Sequence, residues 1–324
     1  MTAPGMDGRS PGRDCPLSYG YGAKALAGDP VLAVDSLWVA GGLYGNPFAL
    51  RQLMELYERE PGRKALVFNG DFHWFDIEPA VFLEIERHTA DHRSTRGNVE
   101  TELASPAQGT GCGCGYPEWI NDEAVARSNG IMERLKRTAR AFPRARERLG
   151  ALPMHLVAAV GGERIAVVHG DGDSLAGWGF SQEVLATRAG CEAALRSFEG
   201  AGVRVFASSH TCLPVLQRLD DERGERVIAN NGAAGMPNFS GTHFGLATRI
   251  SLRPGVGAIH AQRAGPLHVE AVPLHYDVRA WRECFLAQWP PGSEAHRAYF
   301  ARIEHGPRYA PVQALRAASA RLAA

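Results

Sequence analysis

The feature that most constrains the fold is a unit that recurs from residue 36 onward: a short apolar segment, a glycine-containing loop and a helix-forming segment. Residues 37–42 read LWVAGG, Asn46 and Pro47 follow, and residues 65–71 read ALVFNGD. Asparagine before a helix and proline at its first position are typical of helix N-termini. Strands that alternate with helices predict an α/β fold in layers, with the loops gathered at the strand ends.

Further apolar runs extend this pattern. Residues 155–171 contain two such runs joined by Gly161 and Gly162, which predicts a β-hairpin. We expect strands over residues 203–210, 226–232 and 268–274, and a helix over 122–142. Residues 101–119 are too rich in glycine to be regular. The sequence therefore predicts an irregular N-terminal arm (1–35), one layered domain (36–278) with a cysteine- and glycine-rich loop (101–119), and a helical C-terminal extension (279–324) with a break at 290–292.

Charge argues against polymeric or membrane partners. The 324 residues include 35 basic and 35 acidic side chains, for a net charge of +0. A neutral chain offers no bulk attraction for nucleic acid or an anionic membrane. No run approaches the roughly 20 apolar residues of a membrane span, and the N-terminus lacks the apolar core of a secretory signal. We therefore expect a cytoplasmic protein that binds neither nucleic acid nor membrane, with reduced cysteines.

Four polar clusters each follow an apolar strand. Taken singly, each is typical of a turn, a helix cap or a buried hydrogen-bonded side chain. Together they supply a carboxylate, an amide oxygen and two imidazoles, a mixture that suits Mn, Fe or Zn. The clusters are Asn69–Asp71, Arg96–Glu100, His169–Asp171 and Ser209–Cys212.

The order of these clusters resembles the calcineurin-like metallophosphoesterase family over residues 37–239. That family carries, in order, D-x-H-G-N-x-x-A-L, G-D, G-N-H-D/E, H-G and G-H-x-H. The matching pairs are Gly45–Asn46, Ala49–Leu50, Gly70–Asp71, Gly97–Asn98 with Glu100 beyond it, His169–Gly170 and His210–Thr211. The resemblance implies a four-layer αββα sandwich and a divalent metal ion (Mn, Fe or Zn) held by Asp71, Asn98, His169 and His210.

Three positions depart from the family pattern. The D-x-H residues fall on Gly42 and Tyr44, and the last histidine of G-H-x-H falls on Cys212. By resemblance, all three belong to one of the two family metal ions, while the ligands of the other ion are complete. The resemblance therefore implies that one metal site is lost or re-ligated.

The proton carrier of the family is also missing, because its G-N-H histidine falls on Val99. The loss does not exclude turnover, since some small bacterial phosphodiesterases of the family lack it too. His73 and His92 are candidate replacements, and Arg96 is a candidate phosphate-binding group beside Asn98. The alternative for each histidine is a solvent-facing loop residue, and for Arg96 a surface salt bridge.

Residues 111–115 read GCGCG, a run that can place two thiolates on one ion. One hypothesis is that Cys112, Cys114 and Cys212, beside Tyr44, form a thiolate-rich second metal site. Another is a redox-active or nucleophilic cysteine pair. The third is a glycine loop whose cysteines have no chemical role.

Three functions follow. The first is hydrolysis of a small-molecule phosphate mono- or diester by a metal-activated water. The second is a catalytically retired family member that binds a phosphorylated ligand. The third is non-phosphoryl chemistry at a re-ligated metal site.

Overall fold

The computed structural model of the chain describes residues 11–105 and 111–316. Parts of three predicted segments lie outside the described residues. They are residues 1–10 of the arm, 106–110 of the cysteine- and glycine-rich loop, and 317–324 of the extension.

Two β-sheets form the centre of the fold. The larger has seven strands in the order β1 (Leu32–Val34), β5 (His155–Val160), β6 (Glu163–Val168), β7 (Val205–Ser208), β9 (Gly224–Asn231), β8 (Pro214–Asp221) and β13 (Leu315–Arg316). The smaller has six strands in the order β11 (His260–Ala264), β12 (Leu267–Leu274), β10 (Gly245–Ser251), β2 (Ser36–Ala40), β3 (Lys64–Asn69) and β4 (Arg93–Thr95).

Parallel pairing brings the carboxyl ends of the central strands to common edges. Strands β2, β3 and β4 are parallel in one sheet, and β6, β7 and β9 are parallel in the other. Strands β5 and β6 pair antiparallel around Gly161 and Gly162, which confirms the predicted hairpin.

Helices cover the outer faces of both sheets. They are α1 (Pro47–Glu58), α2 (Pro79–Ala90), α3 (Asn98–Ala104), α4 (Asp122–Arg140), α5 (Pro143–Ala151), α6 (Arg188–Ala201), α7 (Val278–Gln288), α8 (Glu294–His305) and α9 (Pro311–Ala314). Short 3₁₀ helices lie at Leu17–Tyr19, Ala23–Ala27 and Val184–Ala186. Helix α6 packs on the seven-stranded sheet, whereas α1–α5, α7 and α8 share a core with the six-stranded sheet.

Alternation along β2 and β3 shows how the layers form. Leu37, Val39 and Val67 belong to the core between the two sheets. Trp38 and Phe68 belong to the core under the helices. Since successive side chains of a strand point to opposite faces, each of these strands is buried on both sides. The predicted four-layer αββα sandwich is confirmed, and α7 and α8 follow it as predicted.

Two edge strands differ from the prediction. Strand β1 lies in the segment predicted as an irregular arm and pairs in parallel with β5. Strand β13 lies in the extension predicted as helical and pairs in parallel with β8. Both strands are too short to show a period in the sequence, so only the sheet edges that they join define them. The domain boundaries at 35 and 278 stay a prediction.

None of the helices in the described part of the chain combines the length and apolar character that crossing a bilayer requires.

Candidate metal centre

The four predicted ligands of the intact site all follow central strands. Asp71 lies two residues beyond β3, and Asn98 begins α3 shortly after β4. His169 follows β6 directly, and His210 lies two residues beyond β7. Each of the two sheets therefore contributes two of the four predicted ligands.

The side chains of these residues converge closely. The His169 Nε2 atom lies 3.2 Å from Asn98 Oδ1, 3.2 Å from His210 Nδ1 and 3.4 Å from Asp71 Oδ1. Asp71, His169 and His210 are the one group of three or more His, Cys, Asp or Glu residues in the described chain whose ligand atoms lie within 4.8 Å of one another. We call Asp71, Asn98, His169 and His210 the ligand cluster.

Backbone carbonyls fix which nitrogen of each imidazole faces the centre. His169 Nδ1 donates to the Asn69 carbonyl over 2.9 Å, and His210 Nε2 donates to the Cys114 carbonyl over 2.9 Å. A carbonyl only accepts, so His169 Nε2 and His210 Nδ1 are the nitrogens left to bind a metal. The Asn98 amide is fixed the same way, because its Nδ2 donates to the Cys112 carbonyl over 2.9 Å.

This donor set fits a cation. The amide oxygen of Asn98, Nδ1 of His210 and a carboxylate oxygen of Asp71 each lie 3.2–3.4 Å from His169 Nε2, and a positive charge among such electron-rich atoms is stabilised by all of them. Nitrogen and oxygen ligands in this mixture suit Mn, Fe or Zn. The four residues would hold such an ion.

The two histidines of the cluster have pKa values shifted in opposite directions. Burial lowers the pKa of His210 to about 4, and the neighbouring His169 adds to that effect. Burial also opposes protonation of His169, but the Asp71 carboxylate outweighs it and raises the pKa of His169. The two imidazoles in turn outweigh burial at Asp71 and lower the pKa of its carboxyl group.

Glu100 holds the backbone that presents Asp71. Its carboxylate accepts from the backbone N–H groups of Asp71 (2.8 Å), Phe72 (3.1 Å), His73 (3.4 Å) and Gly97 (2.8 Å). Asp71 has φ 52°, a left-handed conformation that few non-glycine residues adopt. Glu100 matched the family motif, but its supporting role was missed. The available signal was its place three residues after Gly97, where an acidic side chain reaches back to a helix N-terminus.

The structure places the backbone of the GCGCG run against the ligand cluster. Cys112 and Cys114 contact the ligand cluster through their carbonyl oxygens, and the Cys114 thiol lies 3.5 Å from Asn98 Nδ2. In the described chain, the sulfur atoms of Cys112, Cys114 and Cys212 do not come together as a group of three metal ligands. The positive φ values of Gly111 (72°), Gly113 (67°) and Gly115 (58°) explain the glycines, because they let this segment fold back over the cluster.

Tyr44 and Cys212 lie together in the structure. The Tyr44 hydroxyl lies 2.8 Å from Cys212 Sγ. Tyr44 (φ 54°) and Cys212 (φ 62°) are, with Asp71, the described non-glycine residues with positive φ. Burial raises the pKa of the Tyr44 phenol and of the Cys212 thiol, so both side chains keep their protons at neutral pH.

The structure does not bring His73 or Arg96 to the ligand cluster. His73 is fully buried, and its Nδ1 and Nε2 pair with Asp76 (2.6 Å) and Glu86 (3.2 Å). Burial opposes protonation, but these carboxylates raise the pKa of His73 to about 9. Both ring nitrogens of His73 are thus engaged in a buried ion-pair network, and a catalytic role for His73 stays a prediction. Arg96 donates through Nη1 to the Gly150 carbonyl over 3.1 Å, at the end of α5.

His92 lies in an aromatic environment rather than at the cluster. Its ring makes edge contacts with Tyr57 and Phe68, with centroids 5.7 Å and 5.9 Å away. The catalytic roles considered for His73, His92 and Arg96 therefore find no geometric support. A catalytic role for Asn98 stays a prediction, because its amide oxygen faces the other ligands of the cluster.

Aromatic side chains that the sequence reasoning missed lie against His210. The Trp178 ring lies 5.5 Å from the His210 ring, and its Nε1 donates to the same Cys114 carbonyl over 3.1 Å. Tyr116 and the exposed Trp119 contact Trp178 in turn. No local signal links Tyr116 and Trp119 to Trp178, because Trp178 comes from a different loop.

No protein-family model matches the chain, and no curated protein matches its sequence. Solved structures do match. A metallophosphoesterase from Sphaerobacter thermophilus superimposes with a TM-score of 0.54 at 16% identity, over 84% of this chain and 100% of the other. The chain has the metallophosphoesterase fold. A hypothetical protein from Pyrococcus horikoshii OT3 has the same likeness, with a TM-score of 0.57 at 17% identity over 85% of this chain and 99% of the other. At these identities the likeness establishes the metallophosphoesterase fold and no more.

Proposed function

We propose that the chain is a divergent calcineurin-like metallophosphoesterase that hydrolyses a phosphate mono- or diester of a small molecule. The observation that carries this proposal is the convergence of four acceptor side chains at strand ends, with His169 Nε2 3.2 Å from Asn98 Oδ1 and from His210 Nδ1. A divalent ion held by these residues would supply Lewis-acid chemistry, since it would polarise a phosphoryl oxygen and make water more acidic.

The residues around the cluster keep its ligands in place. Glu100 fixes the loop that carries Asp71 through three of its backbone N–H groups and joins it to the Gly97 N–H. The Asn69 and Cys114 carbonyls orient the two imidazoles, and the Cys112 carbonyl orients the Asn98 amide. Removal of a hydrogen bond that orients a metal ligand typically weakens metal affinity about 10- to 100-fold. These buried hydrogen bonds therefore hold the four ligands in one arrangement.

Access to the cluster requires movement of the segment above it. Asp71 is 5% exposed, His210 4%, Asn98 1% and His169 0%. Residues 111–116 carry the two cysteine carbonyls that contact the cluster. We expect this segment to shift when a phosphate ester binds.

The experiment is an assay of the full chain purified without metal and reloaded with Mn²⁺, Fe²⁺ or Zn²⁺. The substrates are p-nitrophenyl phosphate and bis(p-nitrophenyl) phosphate. We expect turnover of at least one ester, lost in His169→Ala and retained in His243→Ala, an exposed histidine outside the cluster. Metal-replete protein that hydrolyses neither ester would contradict the proposal.

The second candidate is a retired member that binds a phosphorylated ligand without hydrolysing it. Two observations favour it: the four residues of the cluster are at most 5% exposed, and a valine stands where the family has its proton carrier. In that case the metal-loaded chain would melt at a higher temperature with inorganic phosphate, yet would turn over neither ester. The His169→Ala variant would lose the phosphate effect.

A further inference from the structure

The three departures from the family pattern form one contact group in the structure. A Cβ atom built on Gly42 would lie 2.9 Å from Cε2, 3.0 Å from Cζ and 3.1 Å from the hydroxyl oxygen of Tyr44. The same hydroxyl lies 2.8 Å from Cys212 Sγ. We call Gly42, Tyr44 and Cys212 the plug. Residue 42 has no side chain where the tyrosine ring lies.

Hydrogen bonds tie the plug to the ligand cluster. The Tyr44 N–H donates to the Asp71 carbonyl over 3.1 Å, and the Gly42 N–H donates to the Gly70 carbonyl over 3.0 Å. The Cys212 thiol donates to the His210 carbonyl over 3.3 Å. The plug therefore lies directly beside two of the four ligands.

The surroundings of the plug keep it rigid. Tyr44 is 3% exposed, and its ring lies 6.0 Å from the ring of Phe75. The Arg302 guanidinium of α8 donates to the Cys212 carbonyl over 2.7 Å and to the Pro237 carbonyl over 3.0 Å. Close packing of this kind resists any change in side-chain volume. The C-terminal extension thus helps to hold Cys212 in its left-handed conformation.

We propose that this chain binds one divalent ion rather than two, and that the plug fills the volume that a second ion and its ligands would need. The inference rests on the metal binding in the proposed function. Gly42 and Tyr44 are interdependent, because a side chain at residue 42 and the phenol ring cannot occupy the same space. At the positions where the family has metal ligands, this chain has three uncharged residues that pack against one another.

The direct test is metal stoichiometry. The full chain is incubated with excess Mn²⁺ or Zn²⁺, desalted and analysed by mass spectrometry for metal per chain, and Mn²⁺ samples are measured by electron paramagnetic resonance. We expect one ion per chain and a spectrum of isolated Mn²⁺. Two ions, or a spin-coupled spectrum, would overturn the inference and leave the proposed function standing. No bound ion would overturn both.

The second test reverses the plug. The triple variant Gly42→Asp, Tyr44→His, Cys212→His removes the ring and supplies three ligands, and we expect it to bind a second ion. The matched control is Gly42→Asp alone, which keeps the ring; we expect one ion and a lower melting temperature. Circular dichroism verifies that the triple variant is folded. If the folded variant still binds one ion, the plug does not explain the absence of a second ion. Tyr44→Phe keeps the ring volume, so it should also bind one ion, and two ions in this variant would count against the inference.

Discussion

The Glu100 carboxylate accepts a hydrogen bond from the backbone N–H of Asp71 over 2.8 Å. Three more backbone N–H groups bind the same carboxylate, which is fully buried. Glu100 thereby stabilises the left-handed conformation that presents Asp71 to the cluster.

Replacement of Glu100 should weaken the fold and the metal site together. Glu100→Gln places an NH₂ group against backbone donors, so we expect a loss of about 2–3 kcal/mol in the free energy of unfolding. Urea unfolding in EDTA measures this loss without a contribution from bound metal. Glu118→Gln, at an exposed position, is the control. Equal stability of Glu100→Gln and wild type would contradict the supporting role.

Metal should stabilise the folded chain through the ligand cluster. Because an ion that binds only the folded state raises its stability, we expect Mn²⁺ or Zn²⁺ to raise the melting temperature of the wild type. His210→Ala removes one ligand and should weaken binding at least ~100-fold. Titration followed by differential scanning fluorimetry gives both affinities, with His243→Ala as control. A metal-dependent shift that survives in His210→Ala would place the ion elsewhere.

The cysteine thiols should be dispensable for metal stoichiometry. Cys112 and Cys114 contact the cluster through their carbonyls, and serine keeps the backbone unchanged. We therefore expect the double variant Cys112→Ser, Cys114→Ser to bind as much metal per chain as the wild type. Mass spectrometry of metal content is the measurement. A drop in stoichiometry would revive the thiolate site that the sequence suggested.

Trp178 should report on metal binding. Its ring lies 5.5 Å from that of His210, close enough for a paramagnetic ion in the cluster to quench its fluorescence. We expect Co²⁺ to lower the tryptophan emission of the wild type, and Trp178→Phe to abolish most of that change. Trp119→Phe is the matched control, since among the described ring contacts Trp119 meets Trp178 and not His210. Quenching that is unchanged in Trp178→Phe would contradict this geometry.

Stability should depend on pH through Glu86. Burial opposes ionisation, but Arg148 and His73 lower the pKa of Glu86 from 4.5 to about 2. A folded-state pKa below the ordinary value means that the stabilisation is complete above pH 4.5 and is lost as pH falls toward 2. We expect Glu86→Gln to cost roughly 3 kcal/mol at pH 7, a difference that shrinks on acidification.

Urea unfolding in EDTA from pH 7 to pH 3 measures this dependence. Glu84→Gln, on the same helix α2, is the control. A difference between wild type and Glu86→Gln that stays constant over this range would show that ionisation of Glu86 does not contribute.

The layers of the fold and the four residues of the ligand cluster could be predicted from the amino-acid sequence. Alternation in Leu37–Val39 buries both faces of a strand, and strand ends present Asp71, Asn98, His169 and His210. These features are local, because strand periodicity and the residue after a strand follow from the nearest chain neighbours.

The packing around the ligand cluster depends on contacts between segments that are distant in the sequence. Tyr44 and Cys212 are 168 residues apart in sequence, and Cys114 lies 96 residues from His210. No local period encodes such contacts, so the position of the tyrosine ring beside Gly42 could not be predicted from the sequence. The sequence also did not reveal that the cysteines would act through their carbonyls or that His73 would be buried between carboxylates. Those outcomes depend on packing between distant segments, where volume and hydrogen bonding must be satisfied together.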